Sequence, residues 1–300
     1  MFVDISCNIT DSQFKDNELD SIISRCKDNK TFPIFVGLDL ESSMRCLQLA
    51  DKYDTFSYAG IHPLYSKNTN ECLSKLIFNN SKNTNECLSK LIFNNSKNTN
   101  ECLSKLIGVG ECGLDYYRLE YSDKETQKRI FKMQLDLQGE RYFIHSRDSH
   151  RDLLEILSDY SINGVIHSFT GTVEESKELI KKGYFVGING CSLKSEEGLE
   201  VVRNLPINQI LVETDSPYCK IRPSYAGYKY IKTSYTLPKI LKKRNEPSCL
   251  RQVVEIIGGI KGINLEDMER ILEENSIRFY GNKLKEAISR WNDIKQKDME

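Results

Sequence analysis

Long apolar stretches are missing from this chain: no run of about 18 apolar residues occurs, so the sequence carries no signature of a membrane-spanning helix. A surplus of one charge is missing too. Lys and Arg number 42 against 43 Asp and Glu, a formal net charge of -1. That excludes a wholly basic nucleic-acid coat, because non-specific phosphate binding scales with the cations that neutralise it. An enzyme that grips nucleic acid only inside a cleft stays open. No CxxC pair occurs among the ten cysteines, three of which are copies of one repeated position, so a disulfide scaffold is not indicated and reduced thiols are expected. The N-terminus lacks the basic start and apolar stretch of a signal peptide, and a cytoplasmic or nuclear setting is expected. Histidine is scarce, with four in 300 residues.

The most visible thing present is a repeat. Residues 66–80 read SKNTNECLSKLIFNN, the same fifteen residues return at 81–95, and a third copy begins at 96–107. Each copy is too short and too polar for a solenoid unit, so a tandem duplication inside one surface connection is the expected meaning. Cys72, Leu73, Leu76 and Ile77 fall on one helical face, whereas the Asn-rich remainder favours a mobile loop. A single catalytic domain is therefore expected over 1–65 and 108–285, with 66–107 inserted and 286–300 forming a charged C-terminal helix or tail. Lys105, Leu106 and Ile107 pull both ways, towards helix by analogy with the earlier copies and towards strand by the β-rich run they lead into.

Elsewhere β-rich runs alternate with charged amphipathic stretches, the pattern of repeated βα units. Eight strands are predicted, at 2–8, 32–38, 56–62, 107–111, 142–146, 164–169, 185–189 and 209–215. Helical patterns such as 41–52, 124–138, 149–159 and 173–182 lie between them. The expected fold class is α/β, a (β/α)8 barrel of TIM type, with an open doubly wound sheet as the alternative.

In such a barrel the C-terminal strand ends build the active site. Here those ends are Asn8, His62, Glu111, His145, His167, Asn189 and Asp215. Each histidine alone is as readily a hydrogen-bonded residue after a strand. Together, imidazoles and carboxylates converging on one rim would be costly to bury without a partner, and a divalent cation removes that cost. Glu111, His145, His167 and Asp215 form a mixed donor set that suits Mg2+, Mn2+ or Zn2+. Hydrolysis by metal-activated water is the chemistry this set points to, with Glu111 placed to bridge two ions and Asp215 to bind metal or take the water's proton. Arg147 and Arg244 are candidates to clamp phosphate, and equally for ordinary salt bridges. Tyr116, Tyr117 and Tyr218 are candidates to stack on bases or simply to pack the rim.

These residues also sit in motifs. Gly60-Ile61-His62-Pro63 is similar to GxHP, and the run from Gly108 to Tyr116 to a GEcGLDY signature. Phe143-Ile144-His145-Ser146-Arg147-Asp148 is similar to FLHxRxA, His167-Ser168-Phe169-Thr170-Gly171 to HxFTG, Glu213-Thr214-Asp215-Ser216-Pro217 to ETDxP, and Arg244-Asn245-Glu246-Pro247 to RNEP. Six ordered motifs make the chain resemble the TatD family of metal-dependent deoxyribonucleases over nearly its whole length apart from the repeat. The resemblance implies an amidohydrolase-like barrel and metal ligands at Glu111, His145, His167 and Asp215. Glu111, Asp215 and His62 would be catalytic, and Arg147, Arg244 and Asn8 would contact substrate. The activity implied is 3'-5' exonucleolytic cleavage of DNA, with RNA as a second polymer, by a chain expected to be monomeric and not membrane-bound. The alternative is an amidohydrolase or lactonase acting on a small molecule. One departure is visible: many members begin DxHxH, but here Ser6 and Asn8 replace those histidines, in a segment similar to a DIGxNLTD variant. That loss weakens one metal position and favours a hard, partly hydrated ion such as Mg2+, one or two per chain.

Overall fold

A computed structural model describes residues 1–68, 104–137, 139–234 and 244–297. Most of the repeat, including the helical face read at Cys72 to Ile77, lies outside the described residues. The eight strands are β1 (Phe2–Cys7), β2 (Thr31–Val36), β3 (Phe56–Ala59), β4 (Leu106–Asp115), β5 (Tyr142–Arg147), β6 (Gly164–Ile166), β7 (Phe185–Ile188) and β8 (Ile210–Val212). Their order in the sheet follows the chain, β1 to β8, and the neighbours β3/β4, β4/β5, β5/β6 and β7/β8 are parallel. Helices alternate with them, so the architecture is of the (β/α)8 class.

The strands are short and rich in Val, Ile and Phe. Apart from Phe185, and His145 to Arg147 at the end of β5, their residues are buried on both faces, as parallel strands covered by helices must be. The helices among the described residues are α1 (Leu19–Asp28), α2 (Leu40–Lys52), α3 (Lys124–Leu135), α4 (His150–Leu157), α5 (Val173–Lys181), α6 (Glu196–Asn204), α7 (Leu250–Lys261), α8 (Leu265–Tyr280) and α9 (Asn282–Lys297). Several starts are set by side chains that accept the orphan backbone N–H groups. Asp39 and Ser42 close a capping box on α2, Thr172 and Glu175 another on α5, and Asp123, Ser195 and Asn264 cap α3, α6 and α8. No helix among the described residues is long and apolar enough to cross a membrane.

Two compact units emerge, Phe35–His167 on one hand and Met1–Ile34 with Ser168–Glu300 on the other. Within the second of these, α9 buries Leu284, Ala287, Ile288 and Trp291, whose ring meets Phe32 edge-on at 5.1 Å. The helix starts at Asn282, four residues before the helix or tail expected at 286–300, and its buried face makes it part of that unit's core.

Strand limits differ from expectation in an informative way. At 105–107 the strand wins, because Leu106 pairs with Ser57 in the β3/β4 ladder. β4 does not stop at Glu111 but runs on to Asp115, keeping pace with β5 through Gly113↔His145 and Asp115↔Arg147. Conversely, Asn8, His62, His167, Asn189 and Asp215 lie just past their strands rather than at the last paired residue. Gly108, Gly110 and Gly113 match the spacing of a dinucleotide-binding turn, yet all three lie inside β4.

Candidate metal centre

The unit Phe35–His167 holds the imidazole cluster. Gly113 makes it possible: its φ is +136°, and a Cβ there would fall 2.1 Å from the His145 carbonyl oxygen, so only glycine lets β5 lie this close to β4. Two glutamines on α3, two helical turns apart, then fix the chain on either side. Gln134 accepts from the Ile61 N–H (2.8 Å) and donates to the Ile61 carbonyl (3.0 Å), holding the segment that enters His62. Gln127 accepts from the Asp115 N–H (2.7 Å) and donates to the Asp115 and Ser122 carbonyls (2.9 and 2.8 Å). Phe143, stacked on Tyr58 at 4.6 Å and near the His167 ring at 4.5 Å, supplies the apolar floor.

On that floor three imidazole nitrogens converge on one oxygen. His167 Nε2, His145 Nδ1 and His62 Nε2 lie 2.8, 2.9 and 3.2 Å from Glu111 Oε1, and His145 Nδ1 is 3.2 Å from His167 Nε2. Glu111 is only 3% exposed. Burial alone would raise its pKa, but the surrounding His167 and His62 and the hydrogen bonds from His145 and His167 outweigh burial and hold it well below the usual carboxylate range. His145 is raised, because its hydrogen bonds to Asp115 and Glu111 outweigh burial, whereas burial lowers His62.

The hydrogen-bond partners separate the roles of these histidines. Asp115 Oδ2 sits 3.1 Å from His145 Nε2. A carboxylate there keeps a proton on Nε2, so that when the ring gives up its second proton the lone pair lies on Nδ1, the atom facing Glu111, the arrangement by which a carboxylate prepares a ligating histidine. His62 is the reverse case. Its Nδ1 accepts the Leu64 N–H at 3.1 Å, so the neutral ring carries its proton on Nε2 and presents a donor, although the donor atoms of His62, Glu111 and His145 all lie within 4.8 Å of one another. Sequence reasoning misses Asp115. A signal for it exists, since it lies in the same strand as Glu111 and four residues after it.

The donors fit a divalent ion. The separations of about 3 Å equal the edges of an octahedral shell with ligands at about 2.1 Å, and once the rings of His145 and His167 lose their protons towards Glu111 their nitrogens and its oxygen can face one cation.

The unit of Met1–Ile34 and Ser168–Glu300 holds Asp215. Its Oδ1 accepts from Asn8 Nδ2 (3.0 Å) and Ser6 Oγ (3.2 Å), and the Cys219 thiol donates to its Oδ2 (3.3 Å). The two residues that replace the histidine pair therefore donate to this aspartate, and Asn8 also donates to the Ser216 carbonyl at 3.2 Å. Asn8 is 4% exposed, and its amide nitrogen is engaged by Asp215 and the Ser216 carbonyl. Arg244 is likewise engaged within the protein. It is 4% exposed, with Phe14 under its guanidinium, and it bonds the Gln13 carbonyl, Glu18 (2.6 Å) and Glu246 (3.0 Å). Asn245 beside it donates to the Pro217 and Thr214 carbonyls, tying down the loop that carries Asp215. The RNEP segment is thus a brace for that loop. Arg147, in contrast, reaches the surface and lies 4.0 Å over the exposed ring of Tyr117.

A buried carboxylate ringed by imidazoles on a (β/α)8 scaffold is the mark of a metal-dependent hydrolase. Residues 3–281 match the family described as TatD related DNase, and the chain belongs to that family. A TATDN1 homologue of Vairimorpha ceranae is 55% identical over 291 residues, spanning 97% of this chain and 99% of its own. Deoxyribonuclease Tat-D of Schizosaccharomyces pombe is 36% identical over 304 residues, with 92% and 94% covered. The crystal structure of a TatD family hydrolase from Entamoeba histolytica has a TM-score of 0.79 at 28% identity, covering 93% of this chain and 98% of its own.

Proposed function

We propose that this protein hydrolyses phosphodiester bonds in DNA, as a 3'-5' exonuclease that uses divalent metal. The observation that carries the reading is the convergence of His145 Nδ1, His167 Nε2 and His62 Nε2 on Glu111 Oε1, with Asp115 fixing the first ring. Glu111, His145 and His167 hold the ion, with Asp215 as a further ligand or as the base. The carboxylate oxygens and positions left to water suit Mg2+, and the imidazoles admit Mn2+ and Zn2+ as substitutes. A bound ion supplies Lewis acidity, which makes water a stronger acid and stabilises a departing oxygen.

The side chains do the rest. Asp215 takes the proton of the attacking water, oriented for this by the Asn8 and Ser6 donors on its Oδ1. His62 offers its Nε2–H to developing negative charge on a phosphate oxygen. Arg147, over the Tyr117 ring, gives the substrate a cation beside an aromatic face. RNA is the second polymer to try.

The test uses chelator-stripped protein reloaded with Mg2+ or Mn2+ and single-stranded oligonucleotides labelled at either end. Mononucleotides released from the 3' end are expected, and Asp215→Asn should slow their release by about 10²–10⁴-fold, the usual share of a general base. DNA and RNA left intact while cyclic amides or lactones turn over would replace this reading with a small-molecule hydrolase. An Asp215→Asn enzyme at full rate would remove Asp215 from the machinery.

A further inference from the structure

Seven cysteines fall among the described residues. Five are buried, and Cys191 and Cys219 are the two that are not. Both belong to the unit of Met1–Ile34 and Ser168–Glu300, on loops after β7 and β8. Their backbones touch: a Cβ on Gly190 would lie 2.0 Å from the Cys219 carbonyl oxygen, so glycine permits the approach. Each loop is also pinned. Asn189 Oδ1 accepts the N–H of Cys191 at 2.9 Å and of Ser192 at 3.4 Å, while the Tyr218 N–H bonds the Asp215 carbonyl and the Asn245 N–H the Pro217 carbonyl, both at 2.9 Å. The two sulfurs are held 2.9 Å apart, and the Cys219 thiol donates to Asp215 Oδ2 at 3.3 Å.

We propose that Cys191 and Cys219 are a modification site: a dithiol that peroxide converts to a reversible disulfide, and that through Cys219 alters Asp215. A disulfide bond is about 2.05 Å long, so the sulfurs need to close by less than about 1 Å, within the freedom of two side-chain torsions. In the first step one sulfur attacks a peroxide oxygen, the O–O bond breaks, and a sulfenic acid and one water form. In the second, the other sulfur displaces the sulfenic oxygen, the S–S bond forms, and a second water leaves. Two thiols lose two protons and two electrons, and one hydrogen peroxide becomes two waters. Cys219 then has no hydrogen to donate to Asp215. This last consequence rests on the catalytic role proposed for Asp215, whereas the disulfide does not.

The experiment uses the full chain, reduced, stripped of metal and treated with stoichiometric hydrogen peroxide. The intact mass should fall by two hydrogens, a non-reducing peptide map should show Cys191 joined to Cys219, and dithiothreitol should reverse both. Full alkylation of the two cysteines after peroxide, or linkage through the repeat's cysteines instead, overturns the proposal. With Mg2+ restored, oxidation should slow nucleotide release by about tenfold or more, the effect of losing one hydrogen bond to a charged group. Cys191→Ser should keep the reduced rate and ignore peroxide. A disulfide that forms without changing the rate overturns the link to Asp215. A protein that forms the disulfide but cuts no nucleic acid in either state counts against the nuclease reading alone.

Discussion

Asp115→Asn separates a ligand-preparing carboxylate from a merely structural one. In the native protein Asp115 Oδ1 accepts the N–H groups of Tyr117 (3.0 Å) and Arg118 (3.1 Å), while Oδ2 faces His145 Nε2 (3.1 Å). Asparagine keeps an oxygen for the two backbone donors, and the Gln127 clamp on the main chain is untouched. Stability should therefore change by no more than about 1 kcal/mol, the worth of one hydrogen bond. The side-chain NH2 now faces His145 Nε2, and a donor there requires an acceptor. The imidazole proton must move to Nδ1, the atom that faces Glu111 at 2.9 Å and would ligate the ion. Altering such a partner costs 10–100-fold in metal affinity, about 1.4–2.7 kcal/mol. Calorimetric titration of the stripped protein with Mn2+, together with nucleotide release against metal concentration, measures this directly. The expected result is a half-saturating concentration raised by about one to two decades, with kcat largely recovered at high metal. Native metal affinity in a folded Asp115→Asn protein would refute the tautomer argument.

Metal binding should also be linked to pH. His145 is held above its usual range near 6.5 by Asp115 and Glu111 acting against burial, and a protonated Nδ1 cannot ligate. Affinity for Mn2+ should therefore rise as pH increases through that raised value, with protons released on binding, as titrations in buffers of different ionisation enthalpy will show. Arg244→Ala should act on folding. It strips a buried partner from Glu18 and Glu246, of which Glu246 keeps a bidentate contact with Arg25 at 2.8 and 2.9 Å. A loss of about 3 kcal/mol in chemical denaturation, with KM unchanged in the protein that remains folded, is expected; a raised KM at native stability would restore Arg244 as a phosphate contact. Trp291→Ala should cost about 3–5 kcal/mol by emptying the space against Phe32, and a change below about 1 kcal/mol would show that α9 is dispensable.

The fold class was legible in the sequence because parallel strands under helices read as short β-branched runs separated by amphipathic stretches, and that alternation survives errors of several residues at each boundary. The motifs were legible for a similar reason: local patterns such as that around Glu111 name the chemistry a segment can do. Local pattern does not say what a side chain meets across the fold. It placed His62, His145 and His167 alike at strand ends, with the resemblance making the last two ligands, but only their neighbours, the Leu64 N–H on His62 Nδ1 and Asp115 on His145 Nε2, show which ring nitrogen carries a proton. It could not show that Arg244 bonds Glu18 and Glu246, or that Asn8 bonds Asp215. It left Cys191 and Cys219, 28 residues apart, as two unrelated thiols. The sequence by itself determined the kinds of groups and the strands and loops that carry them. The tertiary structure decided their partners, and so their protons, because a hydrogen bond depends on distances of a few tenths of an ångström between residues that the chain keeps far apart.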